Sequence, residues 1–128
     1  MAITFHIDAR RGLIRTRCVG FVTLPEVLDH FRILEADPDC PRHLDVILDL
    51  RETTSLPDSE KLRAVSREIS RIRPTIEFGA CAVVVSTEAL YGMAMVFEVF
   101  TARFFRATKI FMEMSTAEAW MEDQRPSG

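Results

Sequence analysis

The sequence predicts a single α/β domain, in which a mixed sheet of about five strands carries about four helices in the order ββαβαβαβα. Three observations predict this fold. An alternating apolar pattern on either side of Gly12 is typical of a β-hairpin. Residues 44–50 are apolar at most positions, which is typical of a central strand, and residues 80–86 are a continuous apolar run of the kind that is buried on both faces of a sheet. Helical patterns separate the strands after the hairpin, which favours parallel pairing through right-handed crossovers.

The first two strands are predicted to pair as the hairpin. Apolar and polar residues alternate along residues 2–8, which is the period of a strand with one buried face. Gly12 lies in the turn, where a glycine adopts a positive φ without strain. Residues 13–19 place Arg15 and Arg17 on one face and apolar or small side chains on the other. One antiparallel edge strand is therefore expected beside the parallel ones.

Capping-box patterns predict where three helices begin. Thr23 and Glu26 have the spacing of a capping box and open the first helix. Ser55 begins a Ser-Leu-Pro-Asp run with the same order of cap, apolar residue, proline and acid, so it is the predicted N-cap of a second helix that runs to Ile72. Residues 115–118 form a third box and open the short last helix.

The remaining elements are two strands and one long helix. Residues 80–86 form a strand that is buried on both faces, and residues 108–114 form the last strand. A helix is predicted between them, from Thr87 to Arg106.

Composition excludes several classes of protein. The 128 residues suit one domain, residues 1–122, followed by a flexible polar tail, residues 123–128. The formal net charge of -3 leaves no basic excess for binding nucleic acid. The most apolar segment, residues 89–97, is interrupted by Glu98 and is too short to span a membrane. No secretion signal is evident at the start, so a cytoplasmic location is expected.

No motif for metal binding, cofactor binding or catalysis is evident. The three histidines lie far apart, and neither Cys-x-x-Cys nor His-Glu-x-x-His occurs. There is no glycine-rich phosphate loop and no Gly-x-Ser-x-Gly nucleophile motif. We therefore expect a non-catalytic protein without a metal or a cofactor. An enzyme that uses Asp49 and Ser59 as an acid–base pair is the alternative.

Three stretches, in this order, resemble the STAS domain family, also called SpoIIAA-like. They are VILDLR, a strand with Asp-Leu near its end; FGACAVVVS, a strand that leads into a helix with YGMAMVFE; and the closing IFMEMSTAEAWM. The resemblance covers residues 2–122. It implies a bacterial regulatory or protein-interaction module similar to the anti-sigma-factor antagonists. The wider group is also linked to a lipid-carrier fold, which implies a carrier of a small apolar molecule or lipid as the alternative.

In the antagonist family, a serine after this strand is phosphorylated by a partner kinase, which breaks a protein–protein complex. The nearest match here is Asp58-Ser59, so the resemblance implies Ser59 as the phosphoacceptor, with Arg63 one helical turn away to pair with the phosphate. Asp49 and Arg51, at the predicted end of the preceding strand, complete this candidate switch region.

The motif departs from the family pattern directly after the serine. Glu60 and Lys61 replace a small residue and a glycine. We therefore expect the phosphoswitch not to be intact. On the local interpretation, Ser59 is an exposed residue in the first turn of a helix.

The third helix is apolar on two sides. One side faces the predicted sheet, and the other carries Tyr91, Met95, Val99 and Ala102. Three explanations stay open for this second side: an interface for a homodimer or another protein partner, one wall of an apolar pocket, or ordinary core under a neighbouring helix. The first explanation leads us to expect a homodimer.

Overall fold

The computed structural model describes residues 2–124 and contains five strands and four helices in the predicted order. The strands are β1 (Ile3–Asp8), β2 (Leu13–Gly20), β3 (His43–Thr53), β4 (Glu77–Val84) and β5 (Ala107–Phe111). The helices are α1 (Leu24–Ala36), α2 (Ser59–Ile72), α3 (Glu88–Thr101) and α4 (Met114–Asp123).

The strands lie in the sheet in chain order, β1-β2-β3-β4-β5. β1 pairs antiparallel with β2, and the other three pairings are parallel. Because each crossover advances the sheet in the same direction and crossovers are right-handed, α1, α2 and α3 lie on the same face. α4 follows β5 and covers the other face. This architecture confirms the predicted fold class.

Side-chain alternation divides the interior into two cores. On the face that carries α1, α2 and α3, Leu50 of β3 and Cys81 of β4 belong to the larger cluster. On the other face, Ile47 and Ala82 pack with Met121 of α4 in a smaller cluster.

The second helix begins later than the Ser55 cap predicts. Asp58 is the N-cap of α2, and its Oδ1 accepts a hydrogen bond from the Lys61 backbone N–H at 3.0 Å. Ser55 is buried instead, and its Oγ accepts from the Val22 backbone N–H at 3.1 Å. The cap prediction was wrong because the Ser55 hydroxyl is taken up by a contact distant in sequence.

Other element boundaries also differ from the predicted ones. β3 continues past Asp49 to Thr53, because its pairing with β2 resumes after a register shift. α3 ends at Thr101 rather than Arg106. α4 begins at Met114, with no side-chain capping bond, so the capping box predicted for residues 115–118 is wrong. The predicted tail overlaps α4 at residue 123, and residues 125–128 lie outside the described part of the chain.

A side chain bridges an irregularity between β3 and β4. Their register shifts between Leu44 and Val46. Asp45 Oδ1 accepts a hydrogen bond from the Ala80 backbone N–H at 2.8 Å, in place of a regular ladder bond. A Cβ at Gly79 would collide with the Asp45 carboxylate, so the glycine makes room for this bridge.

Candidate functional site

An apolar cavity of about 430 Å³ lies between the sheet and the three helices of the larger core. Its walls come from β1 to β4, from α1, α2 and α3, and from the loops that follow β2 and β3. Among its described lining residues, Lys61 carries the only ionic side chain.

The cavity exists because α1 covers the sheet loosely. Only His30 and Leu34 of this helix are buried. Phe31 lines the cavity and stays half-buried. Val46 and Leu48 lie on the central strand β3 and are also half-buried, although their neighbours Ile47 and Leu50 are buried. Their exposed surface faces the cavity, which shows that the helices do not close down on this part of the sheet.

Two loops border the mouth of the cavity. Phe21 follows β2 and is 68% exposed, and Leu56 follows β3 and is 56% exposed; both line the cavity. The two loops are joined by the hydrogen bond from the Val22 backbone N–H to Ser55 Oγ. The side chain of Thr53 adds a second link, because its Oγ1 lies 3.0 Å from Ser55 Oγ and donates to the Gly20 carbonyl of β2 at 3.1 Å. The mouth therefore lies at the carboxyl ends of two parallel strands, the edge where open α/β sheets commonly bind ligands.

A few polar side chains interrupt the apolar wall. Thr16 of β2 and His30 of α1 are both buried and line the cavity. Burial lowers the pKa of His30 to about 4, so its imidazole is neutral at neutral pH. Burial also raises the pKa of the Cys18 thiol to about 11, with smaller contributions from Asp49 and Glu26, so this thiol stays protonated.

Sequence reasoning did not select Thr16 or His30 as site residues. The signal was present, because Thr16 falls on the apolar side of its strand and His30 lies four residues before Leu34 on the buried side of its helix. A polar residue on a buried stripe is informative only when an unfilled space lies beside it, and local patterns do not reveal that space.

The predicted phosphoacceptor region lies at the surface near the mouth. Ser59 is the first residue of α2 and is exposed, next to the Asp58 cap. Arg63, expected to pair with a phosphate there, places its guanidinium 5.0 Å from the centroid of the Phe100 ring. In this arrangement Arg63 packs on α3.

Asp49 and Arg51 form an ion pair on the opposite face of the sheet. Arg51 Nε and Nη2 donate to the two carboxylate oxygens of Asp49, each at 2.9 Å. Burial opposes ionisation of Asp49, yet the hydrogen bonds and charge of Arg51 lower its pKa overall. Asp49 shares its face with Ile47, whereas α2 packs on the other face. The structure therefore brings Asp49 to Arg51 but not to Ser59.

The second side of α3 is neither covered nor part of the cavity. Tyr91, Met95 and Val99 are 38%, 51% and 72% exposed, and Ala102 is exposed at the C-cap. None of them lines the cavity, whose α3 wall is formed by Met93, Ala94 and Phe97. We refer to Tyr91, Met95 and Val99, spaced four residues apart, as the exposed stripe of α3.

Two negative findings apply to residues 2–124. No group of three or more His, Cys, Asp or Glu side chains is arranged to hold a metal ion within this part of the chain. Over the same residues, no helix is both long and apolar enough to cross a membrane.

A mixed five-stranded sheet with three helices on one face and one on the other defines the protein as an α/β domain of the SpoIIAA-like fold. Its structure is similar to the crystal structure of an uncharacterized protein of the DUF3478 family with a SpoIIAA-like fold from Shewanella loihica PV-4. The TM-score is 0.58 with 18% sequence identity, over 93% of this chain and 91% of the other. No protein-family model and no curated protein sequence matches the chain. This likeness establishes the fold.

Proposed function

We propose that the protein is a non-catalytic binding module whose cavity takes a small apolar molecule. One observation carries this proposal: the inner face of the central strand, at Val46 and Leu48, is left uncovered around a space of about 430 Å³. Sites for small molecules are typically apolar clefts of about 300–1,000 Å³ with a few polar groups, and this cavity has those properties. The lipid-carrier resemblance of the sequence supports the same function.

A pair of identical substitutions tests this function. Val46→Phe adds a ring inside the cavity, whereas Val99→Phe adds the same ring on the exposed stripe of α3. We expect the uncharged fluorophore phenylnaphthylamine to bind the wild type and Val99→Phe alike. We expect Val46→Phe to weaken its binding more than about tenfold, because a filled cavity accepts a ligand only by straining its walls.

Native mass spectrometry of protein purified from cells provides a second measurement. A co-purified apolar molecule that is lost in Val46→Phe would support the proposal. Wild-type protein that carries no such molecule and binds no phenylnaphthylamine would refute ligand binding.

A second function, protein interaction, is supported by the exposed stripe of α3. Val99 is the most exposed of the large apolar side chains in the part of the chain that the structure describes. Apolar residues and Met at helical spacing are typical of interface cores, and a second copy of the chain supplies a matching stripe across a two-fold axis. This would make the protein a homodimer, as the second apolar side of this helix leads us to expect from the sequence.

The dimer is tested by size-exclusion chromatography with light scattering. Val99→Glu should convert a dimer into a monomer, because the interface would bury an unpaired charge. Ile33→Glu places the same charge at an exposed apolar residue of α1, 48% exposed, and should leave the mass unchanged. A wild-type protein that runs as a monomer would refute self-association.

Regulation at Ser59 would not follow the family's phosphoswitch unchanged. Ser59 is exposed and lies at a helix N-terminus, which favours a phosphate. However, the Asp58 carboxylate lies beside it, and Arg63 packs on Phe100. A Ser59→Ala protein should therefore retain its cellular partners in a pull-down, and loss of a partner would argue for an active switch.

A further inference from the structure

Two polar side chains face the cavity without a hydrogen-bond partner for their polar atoms. Thr16 is 5% exposed and His30 is 9% exposed. Among the described residues, the imidazole of His30 makes only ring contacts, at centroid distances of 5.1 Å to Phe5 and 5.8 Å to Phe31. Within residues 2–124, neither its ring nitrogens nor the Thr16 hydroxyl form a hydrogen bond.

Two buried serine hydroxyls in the same core do have partners. Ser55 is held by Val22 and Thr53, and Ser66 donates to the Phe100 carbonyl at 2.9 Å. Burying a hydroxyl or an imidazole without a partner opposes folding, so native proteins pair nearly all such groups. Thr16 and His30 are exceptions that lie on the wall of the same cavity, whereas Arg11 Nε and Thr108 Oγ1, which are also buried without a partner among residues 2–124, do not line it.

The two groups lie at the same end of the cavity. Thr16 is directly opposite Phe5 in the β1–β2 ladder, so their side chains are neighbours on the face that carries α1. The His30 ring makes an edge-on contact with that same Phe5 ring. Phe5 thus links the two polar groups below α1, on the β1 side of the cavity.

We propose that Thr16 and His30 form a polar subsite that hydrogen-bonds a hydroxyl or carbonyl group of an uncharged, largely apolar ligand. This inference rests on the proposed ligand-binding function. A threonine hydroxyl and a neutral imidazole each offer one donor and at least one acceptor. A ligand hydroxyl can therefore accept from one and donate to the other, and a ligand carbonyl can accept from both.

The surroundings of the subsite select an uncharged ligand group. His30 is neutral and Cys18 is protonated at neutral pH, because burial disfavours the charged form of each. Lys61, the only ionic side chain among the described lining residues, is exposed and belongs to the first turn of α2, near the mouth. A carboxylate or ammonium beside Thr16 would consequently be buried without a counter-charge.

The test uses naphthalene and β-naphthol, which share one ring system and differ by a single hydroxyl. Their dissociation constants are measured by intrinsic fluorescence for the wild type, Thr16→Val and His30→Phe. We expect each substitution to weaken the binding of β-naphthol about tenfold and the binding of naphthalene less than about twofold. The reason is that each substitution removes a hydrogen bond to the ligand and keeps the shape of the cavity wall.

Two further variants control this measurement. Thr16→Ser keeps the hydroxyl and should bind both probes as the wild type does. Thr101→Val makes the same change as Thr16→Val outside the cavity, where the Thr101 hydroxyl donates to the Phe97 carbonyl at 2.8 Å. This variant should not change the ratio of the two dissociation constants. If Thr16→Val does not fold, His30→Phe provides the same comparison.

The outcomes separate the subsite from the ligand-binding function. If both probes bind and their ratio is unchanged in Thr16→Val and His30→Phe, the subsite is refuted and the cavity remains a ligand site. If neither probe binds the wild type, both proposals are refuted.

Discussion

Replacing His30 with phenylalanine should remove a specific loss of folding stability in mildly acidic solution. Burial lowers the pKa of this histidine from 6.5 to about 4 in the folded protein. As the pH falls below 6.5, the unfolded chain binds a proton at this position and the folded protein does not. Stability is therefore lost as the pH decreases, and the loss is complete below about 4, where both states are protonated.

The size of the loss follows from the difference between the two pKa values. The shift from 6.5 to about 4 is 6.5 − 4 = 2.5 pKa units. At about 1.4 kcal/mol per unit, this corresponds to roughly 3 kcal/mol of unfolding free energy. Small domains are stable by only about 5–15 kcal/mol, so an effect of this size is readily measured.

The assay is urea denaturation of the wild type and His30→Phe between about pH 7.5 and pH 4.5. We expect the wild type to lose stability relative to the variant as the pH decreases. His6→Phe is the matched control, because it makes the same change at an exposed histidine outside the cavity and should not remove the loss.

The ion-paired carboxylates do not change the pH-dependent difference in stability between the wild type and His30→Phe. The pKa of Glu118 is lowered, first by its hydrogen bond to Arg15, and the pKa of Asp49 is lowered by Arg51 against the effect of burial. The stability that they contribute is lost as the pH falls through their unfolded-state pKa values of 4.5 and 3.8, but both proteins keep these ion pairs, so this loss cancels in the difference between the wild type and His30→Phe. If the wild type and His30→Phe keep a constant difference from about pH 6.5 to pH 4.5, the burial of a neutral imidazole at this position is refuted.

Two further predictions concern the sheet. Asp45→Ala should lower the unfolding free energy by about 1–3 kcal/mol, because the Ala80 N–H would lose its acceptor inside the sheet. Asp45→Asn keeps an oxygen acceptor and should lower the unfolding free energy less. Equal unfolding midpoints for Asp45→Ala and the wild type would contradict the hydrogen bond between Asp45 and Ala80. Cys81 is 1% exposed with a pKa raised by burial to about 12, so iodoacetamide should label it only after unfolding, whereas the half-buried Cys40 should react first. Mass spectrometry of digested protein measures both rates, and equal labelling in the native protein would show that β4 is not buried as described.

The order and type of the elements could be predicted because they depend on local periodicity. Alternation in the hairpin, continuous apolar strands and helical stripes each leave a pattern within about ten residues. The extension of β3 to Thr53 could not be predicted this way, since its last residues are polar and are held by pairing with β2 across a register shift.

The site was harder to predict because it depends on contacts between distant segments. Ser55 and Asp58 both fit the pattern of an N-cap, and the contact of Ser55 with Val22 decides between them. The second apolar side of α3 was recognised from sequence, and the structure shows that it is exposed, which excludes ordinary core within the monomer. The cavity depends on how far α1 stands from β1 and β2, and local sequence patterns do not reveal that distance.

The consecutive strand order has a consequence for how the chain can fold. Each strand from β2 onward pairs with the strand that precedes it in sequence, so its first partner has already been synthesised when it emerges. Loop closure is then limited to one hairpin and three successive crossover helices, and the first and last strands never need to meet. The sheet can therefore grow in one direction from the hairpin as the chain leaves the ribosome, with β5 and α4 closing the second face last.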